Sequence, residues 1–291
     1  MAERTSPGPA AGGRAAWEPA VLDRRPRSVT AYPRLAWAWT RALAQYPVSL
    51  AMLTFAQACT TAVELLAVVI VFGHAGRLGG FTLDEAMLFY GLTGTAFSTA
   101  HLLIGTVDRL GEHIRRGSLD TVLIRPVSPL VQIATEEFSP RRLGRTVPSA
   151  AALGYALSVL DIAWTPERVL MVPLLIGCGA LICGSLWVTA ASVQFLLTDA
   201  RELVSSVTNG GWALTEYPLA IYGRDVVRAV TYLVPLAFVS WQPALYILDR
   251  PDPLGMPDWL RYASPAVAAA AVAVAALVWR TGLRHYRSTG S

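Results

Sequence analysis

The chain has 291 residues, of which 54% are hydrophobic and 15% charged, with a formal net charge of +4 and a mean hydropathy of +0.44. A soluble domain carries about 25% charged residues, so this composition excludes an ordinary soluble globular protein and points to an all-α polytopic membrane protein. All 24 basic residues are arginine and lysine is absent, which excludes a P-loop ATPase, a pyridoxal Schiff base and a lysine nucleophile on this chain.

Residues 1–30 are rich in Pro, Gly, Ala and Arg and read as a disordered cytoplasmic tail. It is too long and polar for a signal peptide. Residues 31–46 follow, with Leu35, Trp39, Ala42 and Leu43 near one helical face and Trp37 and Tyr46 as interfacial aromatics. They read as an amphipathic helix lying in the membrane interface, closed by Pro47. The first span is expected over about 48–72 and places Glu64 at membrane depth. Such a carboxylate faces a bundle interior or a cavity, either as a structural hydrogen-bond partner or as part of a pathway. The second span, about 83–106, is rich in small residues that let helices approach closely in lipid.

Residues 107–140 are the longest polar interruption and are heavily punctuated. Asp108 can cap a turn that Gly117 ends. Ser118 can start a second piece that Pro126 stops. Ser128 followed by Pro129 is an N-cap with proline at the first helical position. This predicts two or three short helices, either an ordered connection or an element that receives a partner. Arg141, Arg142 and Arg145 mark the approach to the third span, about 143–162. The fourth span covers about 168–197 and is longer than a crossing needs. The fifth, about 203–221, carries Ser205, Thr208, Asn209, Thr215 and Glu216, polar groups that need partners or water in hydrocarbon. With Glu64 they are the candidates for a pathway or a subunit interface.

The apolar run at 226–248 is interrupted by Pro235 and Pro243, and the last span is expected over about 263–279. Seven arginines precede the first span, seven lie in 107–145, and Arg280, Arg284 and Arg287 follow the last. Placing all of them on the cytoplasmic side requires an even number of crossings after residue 145. That gives six transmembrane helices, both termini in the cytoplasm, and 226–248 as an outer-leaflet re-entrant hairpin bent at Pro235 and Pro243. The three cysteines lie in apolar runs, the four histidines are scattered, and no metal-ligand spacing is present. The arginine excess is not read as nucleic-acid binding.

Three local patterns carry a resemblance to a known family. IRRGSLDTVLIRPVSPL, residues 114–130, is similar to a run of the form I-x-x-G-x-L/F-D/E-x-x-L-x-R-P. The proline-marked stretch 217–248 is similar to an outer-leaflet segment before a last span. GLRHYRSTGS, residues 282–291, is similar to a closing G-x-x-x-Y-x-S-x-G. Together they resemble the permease subunits of type-2 ABC transporters, in particular the bacterial branch in which permeases are paired. The resemblance implies a type-2 ABC transmembrane domain over 31–291 in a bacterial cell membrane. It implies a second permease subunit, related or identical, and two copies of a separate ATPase subunit that carry ATP and Mg. No cofactor is implied on this chain. The transport direction implied is export, with surrounding lipid as a further contact, and the Ser/Thr/Asn face of the fifth span points to a small amphipathic or lipid-like compound. Residues 107–140 then hold a cytoplasmic coupling helix, matched at Gly117, Leu119, Asp120, Leu123, Arg125 and Pro126. Arg115 and Arg116 either pair with acidic groups on the ATPase or touch lipid headgroups. The rival classes are an intramembrane enzyme using groups such as Glu64 or Glu216, an ion-coupled secondary transporter, and an ABC-linked sensor or scaffold. Copurification of an ATPase discriminates among them.

Overall fold

The computed structural model describes residues 25–136, 138–196 and 206–286. Among these the chain is helical and contains no strand beyond one isolated bridge between Leu78 and Phe81. Four helices are long and apolar enough to cross a membrane: α2 (Pro47–Ala75), α3 (Leu83–Ile104), α8 (Pro166–Val193) and α12 (Ser264–His285).

The first helix, α1 (Arg25–Leu43), begins inside the stretch read as a disordered tail. Pro26 sits in its first turn, where a missing N–H is tolerated. The Tyr32 hydroxyl donates to the Leu103 carbonyl at 2.7 Å and so fills an acceptor left open at the C-terminus of α3. Pro47 breaks the chain as expected and stands at the first position of α2.

Residues 83–104 form the axis of the bundle. Thr82 and Glu85 make a reciprocal capping box at the start of α3. In its apolar window 67% of residues are buried inside the protein, against 17% for α2, so α3 is central and α2 peripheral. On one side of α3 runs α7 (Leu143–Val159), and on the other α8, which in turn carries α12. The approach of α3 to α7 depends on small residues. A Cβ on Gly91 would stand 2.6 Å from the backbone of Leu153, and one on Gly94 would collide with Ser149.

The sequence reading of the third and fifth spans needs correction. α7 has 17 residues, about 26 Å of helix, and ends at Val159 rather than 162. The region read as a fifth span is helical only through a π turn at Ser206–Gly210 and a single short helix, α9 (Gly211–Thr215), among the described residues. Residues 197–205 lie outside them. Glu216 and Tyr217 precede Pro218, which disfavours continued helix. Among the described residues, four long helices and the short α7 stand where six spans were expected, and the bent pair lies over the stretch expected to be a re-entrant hairpin.

The bent pair is Arg224–Leu233 followed by Leu236–Ile247, at 82° to each other. It contains α10 (Arg224–Arg228), a π turn at Ala229–Leu233, a short turn at Leu236–Phe238 and α11 (Trp241–Ile247). The break falls at Pro235, whose predecessor Val234 adopts the extended conformation that proline imposes. Pro243 is not a bend. It is the third residue of α11, in the turn whose N–H groups have no intrahelical partner anyway. Trp241 stacks on Phe89 with ring centroids 5.5 Å apart, fixing α11 against α3. The polar stretch after it is ordered by Asp252, which accepts from the Trp241 indole at 3.0 Å, and by an Arg250–Glu85 ion pair at 2.6 Å.

Gly91→Leu is expected to destabilise the protein by about 1–3 kcal/mol through overpacking of the α3–α7 contact. Gly154→Leu, on open space in the same α7, is expected not to destabilise it. Equilibrium unfolding of the purified protein in mixed micelles measures both, and equal effects would refute the close-approach account.

Candidate functional site

Two features of the end of the bundle that carries residues 104–145 stand out. The first is the segment itself. After Gly105 the chain makes a turn at Val107–Arg109, then α4 (Leu110–Arg115), α5 (Leu119–Leu123) and α6 (Pro129–Thr135). The breaks read from sequence fall where they were expected, but Asp108 lies inside the first turn and Ser118 and Ser128 stand at N-cap positions with no side-chain cap bond. Gly117 separates α4 from α5 at φ +66°, a conformation that other residues adopt only with strain. Ser128 precedes α6 with Pro129 at its first position.

This segment has a core of its own. Val107, Leu110, Ile114, Leu119, Val122 and Ile133 bury together and continue into Val188 and Ala191 of α8 and Ala275 and Trp279 of α12. Polar links reinforce it. The Thr106 hydroxyl contacts the carbonyls of Ile133 and Ala134 at 2.7 and 2.9 Å, and the Gln132 amide donates to Val122 and Val127 carbonyls. His113 joins Glu136 at 2.6 Å on one ring nitrogen and Ser118 at 2.9 Å on the other, bracing α4 against both neighbours. Glu136, with no assigned part in the sequence, is thereby accounted for. Glu137 lies outside the described residues.

Within the motif the residues divide by direction. Leu119 is fully buried and Leu123 half-buried, so they position the element instead of forming its surface. Asp120 accepts a hydrogen bond from the Tyr286 hydroxyl at 3.2 Å. Burial first, and then the Asp120 carboxylate, hold that phenol above its usual pKa, so it stays a donor. Tyr286 also packs on Phe195, which packs on Trp279 of α12. The motif at 114–130 thus meets the described part of the closing motif, at Tyr286. Arg115, Arg116, Arg125 and Pro126 face outward, and Arg116 spends one contact on Glu112 at 2.6 Å. Ile124 stands beside them at 80% exposure. Sequence reasoning missed it, although an apolar residue between two helix-stopping signals was a usable sign.

The second feature is a polar chamber beside this segment. Two adjoining cavities of about 410 and 420 Å³ share Ser98, His101, Gly105, Asp108 and Arg145. Glu64 enters from α2 and pairs with Arg145 of α7, the guanidinium nitrogen lying 3.0 and 3.3 Å from the carboxylate oxygens. The same guanidinium lies 4.2 Å from the centre of the Trp212 ring, a cation–π contact. Gly144 makes this reach possible, because it seats the start of α7 on the Thr54 backbone of α2. Glu64 therefore faces an interior cavity, and its partner is an arginine read from sequence only as a border marker. Arg142 donates to the His101 carbonyl at 2.6 Å, at the C-terminus of α3 where a cation is favoured.

The polar candidates of the fifth span separate. Asn209 lines the chamber. Thr215 is fully buried and structural: its carbonyl accepts from Thr93 at 2.6 Å and from Ser240 at 2.9 Å, tying α9 to α3 and to the bent pair. Glu216 keeps a buried carboxylate oxygen with no hydrogen-bond partner among the described residues. Ser205 lies outside the described residues, and so does the Thr208 side chain.

Glu64→Met or Arg145→Met alone is expected to destabilise the protein near the low end of the about 3–5 kcal/mol seen when one partner of a buried pair is removed, since both side chains keep partial exposure. The double Met variant is expected to recover most of that loss. A double-mutant cycle on unfolding free energies checks it, and strictly additive losses would refute the pairing.

The chain matches the family described as ABC-2 family transporter protein over residues 58–290, which covers the segment, the bent pair and most of the residues lining the chamber. No curated protein and no solved structure matches it. The match agrees with the long apolar helices of the bundle. The chain belongs to the ABC-2 family of transporter proteins: it is a multi-pass membrane permease of an ABC transporter, a transport subunit and not itself an enzyme.

Proposed function

We propose that this permease is the membrane half of an ATP-driven exporter of a small amphipathic or lipid-like compound in a bacterial cell membrane. Hydrolysis takes place on two copies of a separate ATPase subunit that hold ATP and Mg, and a second permease subunit, identical or related, completes the pathway. Six crossings with the bent pair re-entrant from the outer side leave both termini cytoplasmic. The arginine distribution supports that orientation.

The observation that carries the reading is the tip Ile124–Arg125–Pro126, held out on a rigid base. An exposed isoleucine beside an arginine and a proline on a cytoplasmic element suits a protein groove that takes up an apolar side chain with a charge at its rim. The base has a single core with the ends of α8 and α12 and follows α3 after a one-residue cap. A displacement of the tip by the closing ATPase is therefore passed to three of the long helices as rigid elements. Asp120 and Tyr286 add a polar tie between the tip and the end of α12.

The test is coexpression with the ATPase subunit and recovery of the complex on the tagged permease. Ile124→Asp with Arg125→Ala and Pro126→Ala alters exposed side chains, so the purified permease is expected to keep its unfolding midpoint. ATPase recovery is expected to drop by about tenfold or more, the loss of one hot-spot contact. Unchanged recovery, together with ATP turnover as tightly tied to the permease as in the wild type, would sink the docking assignment.

A further inference from the structure

A further cavity, of about 710 Å³, lies where α3, α8 and α12 meet. Along α8 it runs from Pro173 to Val188, about 22 Å at the rise of an α-helix. Small residues open it: Gly177, Ala180 and Gly184 on α8, Ala275 and Ala276 on α12. A Cβ on Gly177 would meet nothing within 4 Å, so the space there is real. Apart from Arg280 at one end, the described lining carries no charged group. The volume falls in the range of about 300–1,000 Å³ typical of ligand sites.

Position, direction and width select the occupant. Leu174, Leu181 and Val272 flank the slot and are exposed, so it opens sideways onto the surface that a multi-pass membrane protein turns to the bilayer. It runs along α8, not across it, and covers more than half of a hydrocarbon core about 30 Å thick. It ends at Arg280 and Ser128, where polar residues resume and a bilayer has its headgroups. The cavity volume spread over that length makes a slot too slim for another helix, about 10–12 Å across. Water needs two to four polar partners, roughly, which walls of this kind do not supply. An empty slot would forfeit van der Waals contact along both helices. One hydrocarbon chain, lying parallel to α8, fits all of these conditions.

We propose that the slot between α8 and α12 is a binding site for one acyl chain of a bilayer phospholipid, laid lengthwise along α8 with its headgroup at the Arg280 end. Ile104, Leu130, Val188, Ala275 and Trp279 line the slot and also belong to the core beneath α4, α5 and α6. The bound chain therefore packs against the base of that segment. The site concerns a resident lipid and not the cargo. It requires only that the chain spans a bilayer, and it stands whether or not the exporter reading does.

The purified full-length permease in uncharged micelles is titrated with a phosphatidylcholine that carries a photoreactive group midway along one acyl chain, and crosslinks are mapped by mass spectrometry. Crosslinking at Leu174, Leu181 and Val272 is expected to saturate and to be competed by unlabelled phosphatidylcholine. Crosslinking at Met52 and Phe55, exposed on α2, is expected to rise without saturating. Gly177→Leu with Ala276→Leu fills the slot from both helices and is expected to cut the saturable crosslinking about tenfold. Gly154→Leu, on open space of α7, is expected to leave it unchanged. Competition by unlabelled lipid reads the same site in the unaltered protein, so the result does not hang on the variants. The same non-saturating dependence on both faces would overturn the site, as would saturable crosslinking that survives the filling variant. An absence of crosslinking at the slot, as when a second copy or another subunit covers it, would overturn it too.

Discussion

The packing of α3 is the constraint on which the rest depends. Hydrocarbon supplies no driving force for apolar helices to associate, so they hold together by close contact and by buried polar links. α3 has both. Gly91 and Gly94 let α7 come within backbone contact, Thr93 bonds to the Thr215 carbonyl, and the Tyr90 hydroxyl donates to the Thr61 carbonyl of α2 at 3.1 Å. Its last carbonyls are filled by Tyr32 of α1 and Arg142 from the turn before α7. Each neighbour is thereby registered against the same helix, and the positions of both the protruding segment and the chamber follow from that register.

The segment after α3 shows how short helices are held in place. Helices of five to seven residues are unstable alone. α4, α5 and α6 hold because Leu110, Ile114, Leu119, Val122 and Ile133 share one core, and because that core is continuous with α8 and α12. The His113–Glu136 and Asp120–Tyr286 contacts then fix rotation about the short helix axes.

The chamber follows from a different rule. A carboxylate on α2 at membrane depth requires a cation, and the nearest is placed by the glycine that lets α7 cross α2 closely. Once Arg145 is drawn inward, its indole neighbour Trp212 shields it, and the remaining arginines gather at the rim.

The sequence by itself determined the class of the protein, the existence of the long helices, the breaks at Pro47, Gly117 and Pro235, and the short-helix character of 107–135. These are local matters of hydropathy, proline geometry and positive φ, and local chemistry decides them. It misjudged α1, α7, the region after 206 and Pro243, because helix ends in a bundle are set by neighbours as well as by propensity. Only the tertiary structure decided which residues meet. Glu64 with Arg145, Asp120 with Tyr286 and His113 with Glu136 stand 81, 166 and 23 positions apart. No periodicity encodes such separations. It also decided that Leu119 faces inward while Ile124 faces out, since a five-residue helix is too short for its pattern to reveal which side has a core beneath it.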